Sequence, residues 1–258
     1  MKKVLVVIGI AIVLSLAVFY LITSREYQRL DSRYVKLQPG KEELIVLVNV
    51  GNGDRKYIAE KINKVFQCNP KLIGIDLYFK EFSPEIEQDS LLLNSIQNSK
   101  PILATRHMGI GTQGVNKVFL NAALDHGYAE LNAENGYVSN FDVFREMKSK
   151  KDFHFAYTMA NKIDSIAASR FVNNLDGNNS DVVIRKLSDQ FKIFDFNENI
   201  NCEQITNKVV LFGYLGPTDE DKLTTYARFH DDSDASGPDM YGPIVVANQI
   251  LMILKDEI

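Results

Sequence analysis

The chain is 258 residues long, 45% hydrophobic and 24% charged, the balance of a globular protein rather than a disordered one. A formal net charge of -4 offers no basic footprint, which argues against nucleic acid as a partner. Two cysteines far apart, Cys68 and Cys202, could form one disulfide, but with no cysteine framework and no C-x-x-C pair the expectation is free thiols.

After Lys2 and Lys3, residues 4–22 form an uncharged apolar run, long enough to cross a bilayer core. It ends in bulky Phe19, Tyr20, Leu21 and Ile22 rather than in a small-x-small cleavage site, so it reads as an uncleaved anchor, with the lipid bilayer as its partner. Arg25, Arg29, Arg33 and Lys36 follow and pull against export of what comes after them, so charge leaves the topology open. Residues 24–38 are predicted to continue as a helix, in which Tyr27, Leu30, Tyr34 and Leu37 make one apolar stripe. That stripe either docks on the protein's own domain or forms a short dimer seam. Pro39 and Gly40 end it. The expected organisation is an anchor over 1–23, a helix and linker over 24–42, and a globular domain over 43–258.

Within that domain, 44–50 reads as a continuous apolar strand, as in a parallel sheet covered on both faces. A helix over 55–66 carries Ile58, Ile62, Val65 and Phe66 on one side, and 72–77 is the next strand. There follow a helix over 84–98, a strand over 102–105, a helix over 118–124, a short strand over 127–131 and a helix over 153–168. Residues 173–180 read as a polar loop, 208–213 as a late apolar strand and 244–254 as a closing helix. The alternation predicts an α/β three-layer sandwich with a mostly parallel central sheet, preceded by one transmembrane helix.

Chemical motifs are sparse. Gly109, Gly111 and Gly114 match G-x-G-x-x-G, with Glu130 downstream, but Arg106, His107 and Met108 separate the strand from the first glycine. A flexible loop is the expectation there, and nucleotide binding the lesser alternative. Asp232, Asp234, Ser236 and Gly237 match the opening of a calcium loop, yet its closing bidentate position is Pro243, so Asp232 and Asp234 are only a weak metal candidate. His107, His126, His154 and His230 show no metal-ligand spacing, and no nucleophile elbow, P-loop or H-E-x-x-H is present. The chain therefore reads as noncatalytic, with no cofactor. Ligands of open α/β sheets bind over the strand carboxyl ends, which makes Asn49, Asp54, Arg55, Asp76 and Asp221 the candidate binding residues. Asp54 also suits a helix N-cap, and Asp76 could instead pin the fold by pairing with Arg55 or accepting backbone N–H groups.

The segments at 44–62 (LIVLVNVGNGDRKYIAEKI), 70–81 (PKLIGIDLYFKE), 87–96 (EQDSLLLNSI), 127–138 (GYAELNAENGYV), 207–225 (NKVVLFGYLGPTDEDKLTT) and 237–254 (GPDMYGPIVVANQILMIL), in that order, resemble a CHASE domain of type two, a sensory extracellular module. Val246 stands where the family usually has a His before Ala-Asn, and Asn135, Gly136 and Asn140 stand near the place of its Asp-Gly-x-x-Arg. The resemblance implies a domain facing the periplasm or cell exterior, on a single-pass plasma-membrane protein. The resemblance names no ligand; the expectation is a noncatalytic sensor of a small molecule or envelope component. Family members generally precede a kinase or cyclase effector, whereas this sequence ends at Ile258. Signalling is accordingly expected through a membrane partner or a homodimer. A structural or assembly role in the envelope is the alternative.

Overall fold

The computed structural model describes residues 15–16, 19–20, 34–107, 112–113, 115–134, 136–147, 150–216, 222–225 and 240–255. In chain order the elements are β1 (Ile45–Asn49), α1 (Arg55–Gln67), β2 (Leu72–Ile75), α2 (Ile86–Ser99), β3 (Ile102–His107), β4 (Thr112–Gln113), α3 (Lys117–Ala122) and β5 (Asp125–Tyr128). Then come β6 (Asn132–Glu134), β7 (Tyr137–Asp142), β8 (Phe144–Met147), β9 (Lys150–Phe153), α4 (Phe155–Ile163), α5 (Ser165–Asn174) and β10 (Asn179–Asp181). The last elements are β11 (Lys192–Phe194), β12 (Val209–Gly213), β13 (Lys222–Leu223), β14 (Met240–Tyr241) and α6 (Gly242–Leu254).

The expected mostly parallel sheet is present, in the order β11-β1-β12-β2-β3, with β4 and β5 both paired to β3. Only β4 runs antiparallel in it. Both faces of the sheet are buried, which is why its strands read as unbroken apolar runs. In β1, Ile45 and Leu47 enter one core with α4, α5 and α6, while Val46 and Val48 enter the other with α1, α2 and α3. Two helical layers and a sheet make the three-layer sandwich. A smaller antiparallel sheet, β10-β7-β6, and the two-stranded ribbons β8-β9 and β13-β14 complete it.

Four expectations need correction. Cys68 and Cys202 are not free: they form a disulfide with Cα atoms 4.8 Å apart, tying the end of α1 to the turn before β12. A separation of 134 residues hides such a pairing from any local pattern. The helix expected to reach Gln38 does not, because Val35 bridges Ile184 and 36–38 runs extended beside 184–185. Tyr34 of the predicted stripe is buried in the protein's own core, 1% exposed, whereas Leu37 is 38% exposed. Tyr27 and Leu30 lie outside the described residues. The single helix over 153–168 is two, broken at Asp164, whose extended backbone ends α4 while its carboxylate caps α5. Strand β11 and the short strands β6 to β10 were not anticipated, and residues 179–180 of the predicted loop belong to β10.

Most of the apolar run 4–22 lies outside the described residues; within it Ser15, Leu16, Phe19 and Tyr20 are helical and exposed. Among the described residues no helix is long and apolar enough to cross a membrane.

Candidate functional site

The carboxyl end of the sheet is where the connections part. From β1 and β2 the chain leaves to α1 and α2 on one face, whereas β12, inserted between those strands, leaves toward α6 on the other. In open α/β sheets, ligands ordinarily bind in the crevice above the carboxyl ends of neighbouring strands whose connections diverge in this way. There Gly213, covered by Pro243 of α6, is level with Asn49 of β1. Asp76 flanks it on the other side: its amide donates to Phe212 O at 2.8 Å, continuing the pairing one residue past β2. Strand alternation carries Asn49, Gly213 and Asp76 to the face on which α6 begins. Asp76 is half-buried there, and its Cβ lies 3.7 Å from the position a Cβ on Gly213 would take.

The other predicted residues have defined places. Asn49 is 6% exposed, and its Oδ1 accepts from the amides of Gly51 at 2.9 Å and Leu215 at 3.0 Å, stitching the loop after β1 to the loop after β12. Asp54 is the N-cap of α1, as its position suggested, accepting from the Tyr57 amide at 2.8 Å; its second oxygen accepts from Gln88 Nε2 at 3.3 Å. Arg55 pairs with Asp89 of α2 and donates to the carbonyl of Glu81. Its guanidinium also lies over the rings of Phe79, at 5.9 Å, and Phe119, at 5.7 Å. Asp89 is 5% exposed and accepts from the Ser83 amide at 2.7 Å as well. Arg55 thus braces the loop after β2 against α1 and α2, with Asp89 rather than Asp76 as its carboxylate. Of the predicted set, Asn49 and Asp76 flank Gly213 on the α6 face of the sheet, whereas Asp54 and Arg55 make their contacts on the α1 and α2 side. Asp221, Asp232, Asp234 and the glycines at 109, 111 and 114 lie outside the described residues. Among the described residues no group of three His, Cys, Asp or Glu side chains could hold a metal ion.

A second polar cluster, not anticipated from sequence, sits beyond β5. Arg145 binds Glu130 Oε2 through Nη1 at 2.7 Å and Asp142 Oδ2 through Nε at 3.0 Å, with its guanidinium 4.5 Å from the Tyr128 ring centroid. Burial opposes the Arg145 charge, but its two carboxylates outweigh that and hold its pKa above the ordinary value. Burial pushes the Tyr128 phenol far up; its hydroxyl donates to the Asp142 carbonyl at 2.7 Å. His154 is fully buried beside them, and burial drives its pKa down to about 3. Its Nδ1 accepts from the Ala156 amide at 3.2 Å and caps α4. The only sequence signal for this cluster is a charged Arg145 amid short polar strands.

At the opposite, amino end of the sheet, Phe66, Pro70, Lys71, Leu72, Lys100 and Leu124 help to line a cavity of about 240 Å³. That end is not where an open parallel sheet ordinarily receives ligands.

The family model of the CHASE2 domain matches residues 6–258. The chain belongs to the CHASE2 domain family. CHASE2 is an extracellular sensory domain, and the α/β fold with a mostly parallel central sheet is the form that module takes in this chain. No match was found among curated proteins or among solved structures. The resemblance carried by the ordered segments is thereby shown across essentially the whole chain. The segment bearing Ala247 and Asn248 forms α6, where Val246 replaces the usual histidine and is itself buried, 2% exposed, in an apolar core.

Proposed function

We propose that this CHASE2 chain is a membrane-anchored, noncatalytic sensor whose domain faces the extracytoplasmic side and binds a small polar ligand at the strand ends beside Asn49 and Asp76. The observation that carries the reading is the topology: the connections diverge around β12, and Asp76 is half-buried at the carboxyl end of β2 beside it. A carboxylate so placed recognises a hydrogen-bond donor or a cationic group and is screened from bulk water. The Cys68–Cys202 disulfide supports the placement, since such bonds persist in oxidising compartments and are rare in the cytoplasm. The apolar run 4–22 supplies the anchor, and signalling passes to a membrane partner or through a homodimer.

Two measurements test this. Protease added to intact spheroplasts is expected to digest the domain without lysis; protection until lysis overturns the placement. In a thermal-stabilisation screen of small polar metabolites against the full chain, a compound that stabilises the wild type is expected to lose its effect in Asp76→Ala. Equal stabilisation of both proteins removes the crevice from the reading. An assembly role is the outcome if the chain co-purifies with a fixed membrane partner and responds to no small molecule.

A further inference from the structure

The C-terminal helix α6 connects the strand-end crevice to the segment through which the chain enters the domain. Its amino end is set on the crevice, where Pro243 packs against Gly213. Further along, Asn248 is fully buried and bonded four ways. Its Oδ1 accepts from the amides of Arg185 at 2.8 Å and Lys186 at 2.9 Å. Its Nδ2 donates to the carbonyls of Lys186 and Ile244, both at 3.0 Å.

The stretch gripped in this way holds the entering chain. The amides of Lys36 and Gln38 donate to the carbonyls of Ile184 and Arg185, both at 2.9 Å. Lys186, 4% exposed, points its ammonium at three carbonyls in a row: Gln38 at 3.2 Å, Pro39 at 3.1 Å and Gly40 at 2.9 Å. At the end of α6, Lys255 Nζ reaches Gln38 Oε1 at 2.6 Å.

We infer that α6 is a built-in mechanical link, which passes a displacement of Pro243 at the crevice through Asn248 to residues 35–40. Every residue from Pro243 to Ile253 is buried. A helix enclosed on all sides by close-packed side chains does not bend or shift locally, so movement of one end moves the other. Two of the contacts that receive the movement, from the amides of Lys36 and Gln38, are backbone–backbone hydrogen bonds, which are directional and cannot be remade by a rotamer change. The trigger in this scheme rests on the proposed binding at the crevice; the link itself does not.

The test is a double-mutant cycle read by amide hydrogen exchange in the full chain, with no ligand added. Asn248→Ala is expected to speed exchange at Lys36 and Gln38 by about tenfold or more, because several buried hydrogen bonds are lost together, while Leu47 in β1 stays protected. Gly213→Ala, which presses on Pro243, is expected to speed the same two amides severalfold and to add nothing in the Asn248→Ala background. If Gly213→Ala does not fold, Pro243→Ala takes its place in the cycle. Changes confined to amides around 213 and 243, or additive effects of the two substitutions, overturn the link. Because no ligand enters, failure of the cycle leaves the crevice-binding reading standing, and failure of the metabolite screen leaves the link standing.

Discussion

Pro243 rests directly on Gly213: a β-carbon built on that glycine would come within 2.2 Å of Pro243 Cγ. The contact lets the first turn of α6 sit down on the end of β12, and any larger residue at 213 must push the helix away. Gly213→Ala is therefore expected to cost about 1–3 kcal/mol through overpacking. The check is the thermal midpoint of the variant beside that of Pro243→Ala,Gly213→Ala, in which the smaller side chain relieves the clash. A double variant no more stable than Gly213→Ala would show that the proline ring is not what excludes the methyl group.

The disulfide joins positions 134 residues apart in sequence and so restricts the unfolded chain strongly. Cys68→Ser,Cys202→Ser is expected to lower stability by roughly 2–5 kcal/mol. Reductant should lower the midpoint of the wild type and leave that of the variant in place. Equal midpoints for the wild type with and without reductant would contradict a structural role for the bond.

His154 is held neutral by burial, between the rings of Tyr128 and Phe141, with centroids 5.3 and 4.8 Å from its own. The Glu130 backbone and the Asp142 charge favour the protonated form and the Arg145 charge opposes it, each by less than burial does. Unfolded, the residue takes a proton below its ordinary value of 6.5; folded, it resists protonation down to about 3. Its contribution is complete above the higher value and falls as pH drops toward the lower one, by up to ~1.4 kcal/mol per pH unit. His154→Asn keeps an N-cap oxygen without the titration. Denaturant midpoints measured between about pH 7 and about pH 4.5 should fall more steeply in the wild type than in the variant. Parallel lines would assign the acid sensitivity elsewhere.

Arg145 reaches Glu130 and Asp142 through two different nitrogens while stacking on Tyr128. A lysine offers one compact ammonium and no planar face, so it cannot reproduce both bonds and the stack. Arg145→Lys is expected to cost about 1.5–3 kcal/mol, the loss of a charge-assisted hydrogen bond with a carboxylate left behind. Chemical denaturation measures it, and a loss below about 0.5 kcal/mol would place the cluster among weakly contributing surface pairs.

The chain order of strands β1, β2, β3 and β12 and of helices α1, α2 and α6 is legible in the amino-acid sequence, because strands buried on both faces must be apolar throughout and amphipathic helices must repeat their apolar positions. The same logic finds the Asp54 cap, which needs only its own turn, and puts Asn49 and Asp76 at strand ends. It fails where the information is not local. Strand β11 is three residues long and owes its existence to the edge of β1 rather than to its own composition. Residues 35–38 have helical periodicity, but the amides of Lys36 and Gln38 find partners on 184–185. Asp164 interrupts a pattern that is apolar on both sides, since one side chain capping α5 outweighs continued helix. Arg55 opens α1 as its position implies, but its carboxylate is Asp89, brought near only by the packing of α1 on α2. Sequence by itself thus determined the layers, the family and the strand-end positions of Asn49 and Asp76. Tertiary structure decided which of them meet, because an ion pair, a disulfide or a helix seated on a glycine depends on distances set only when the two cores close.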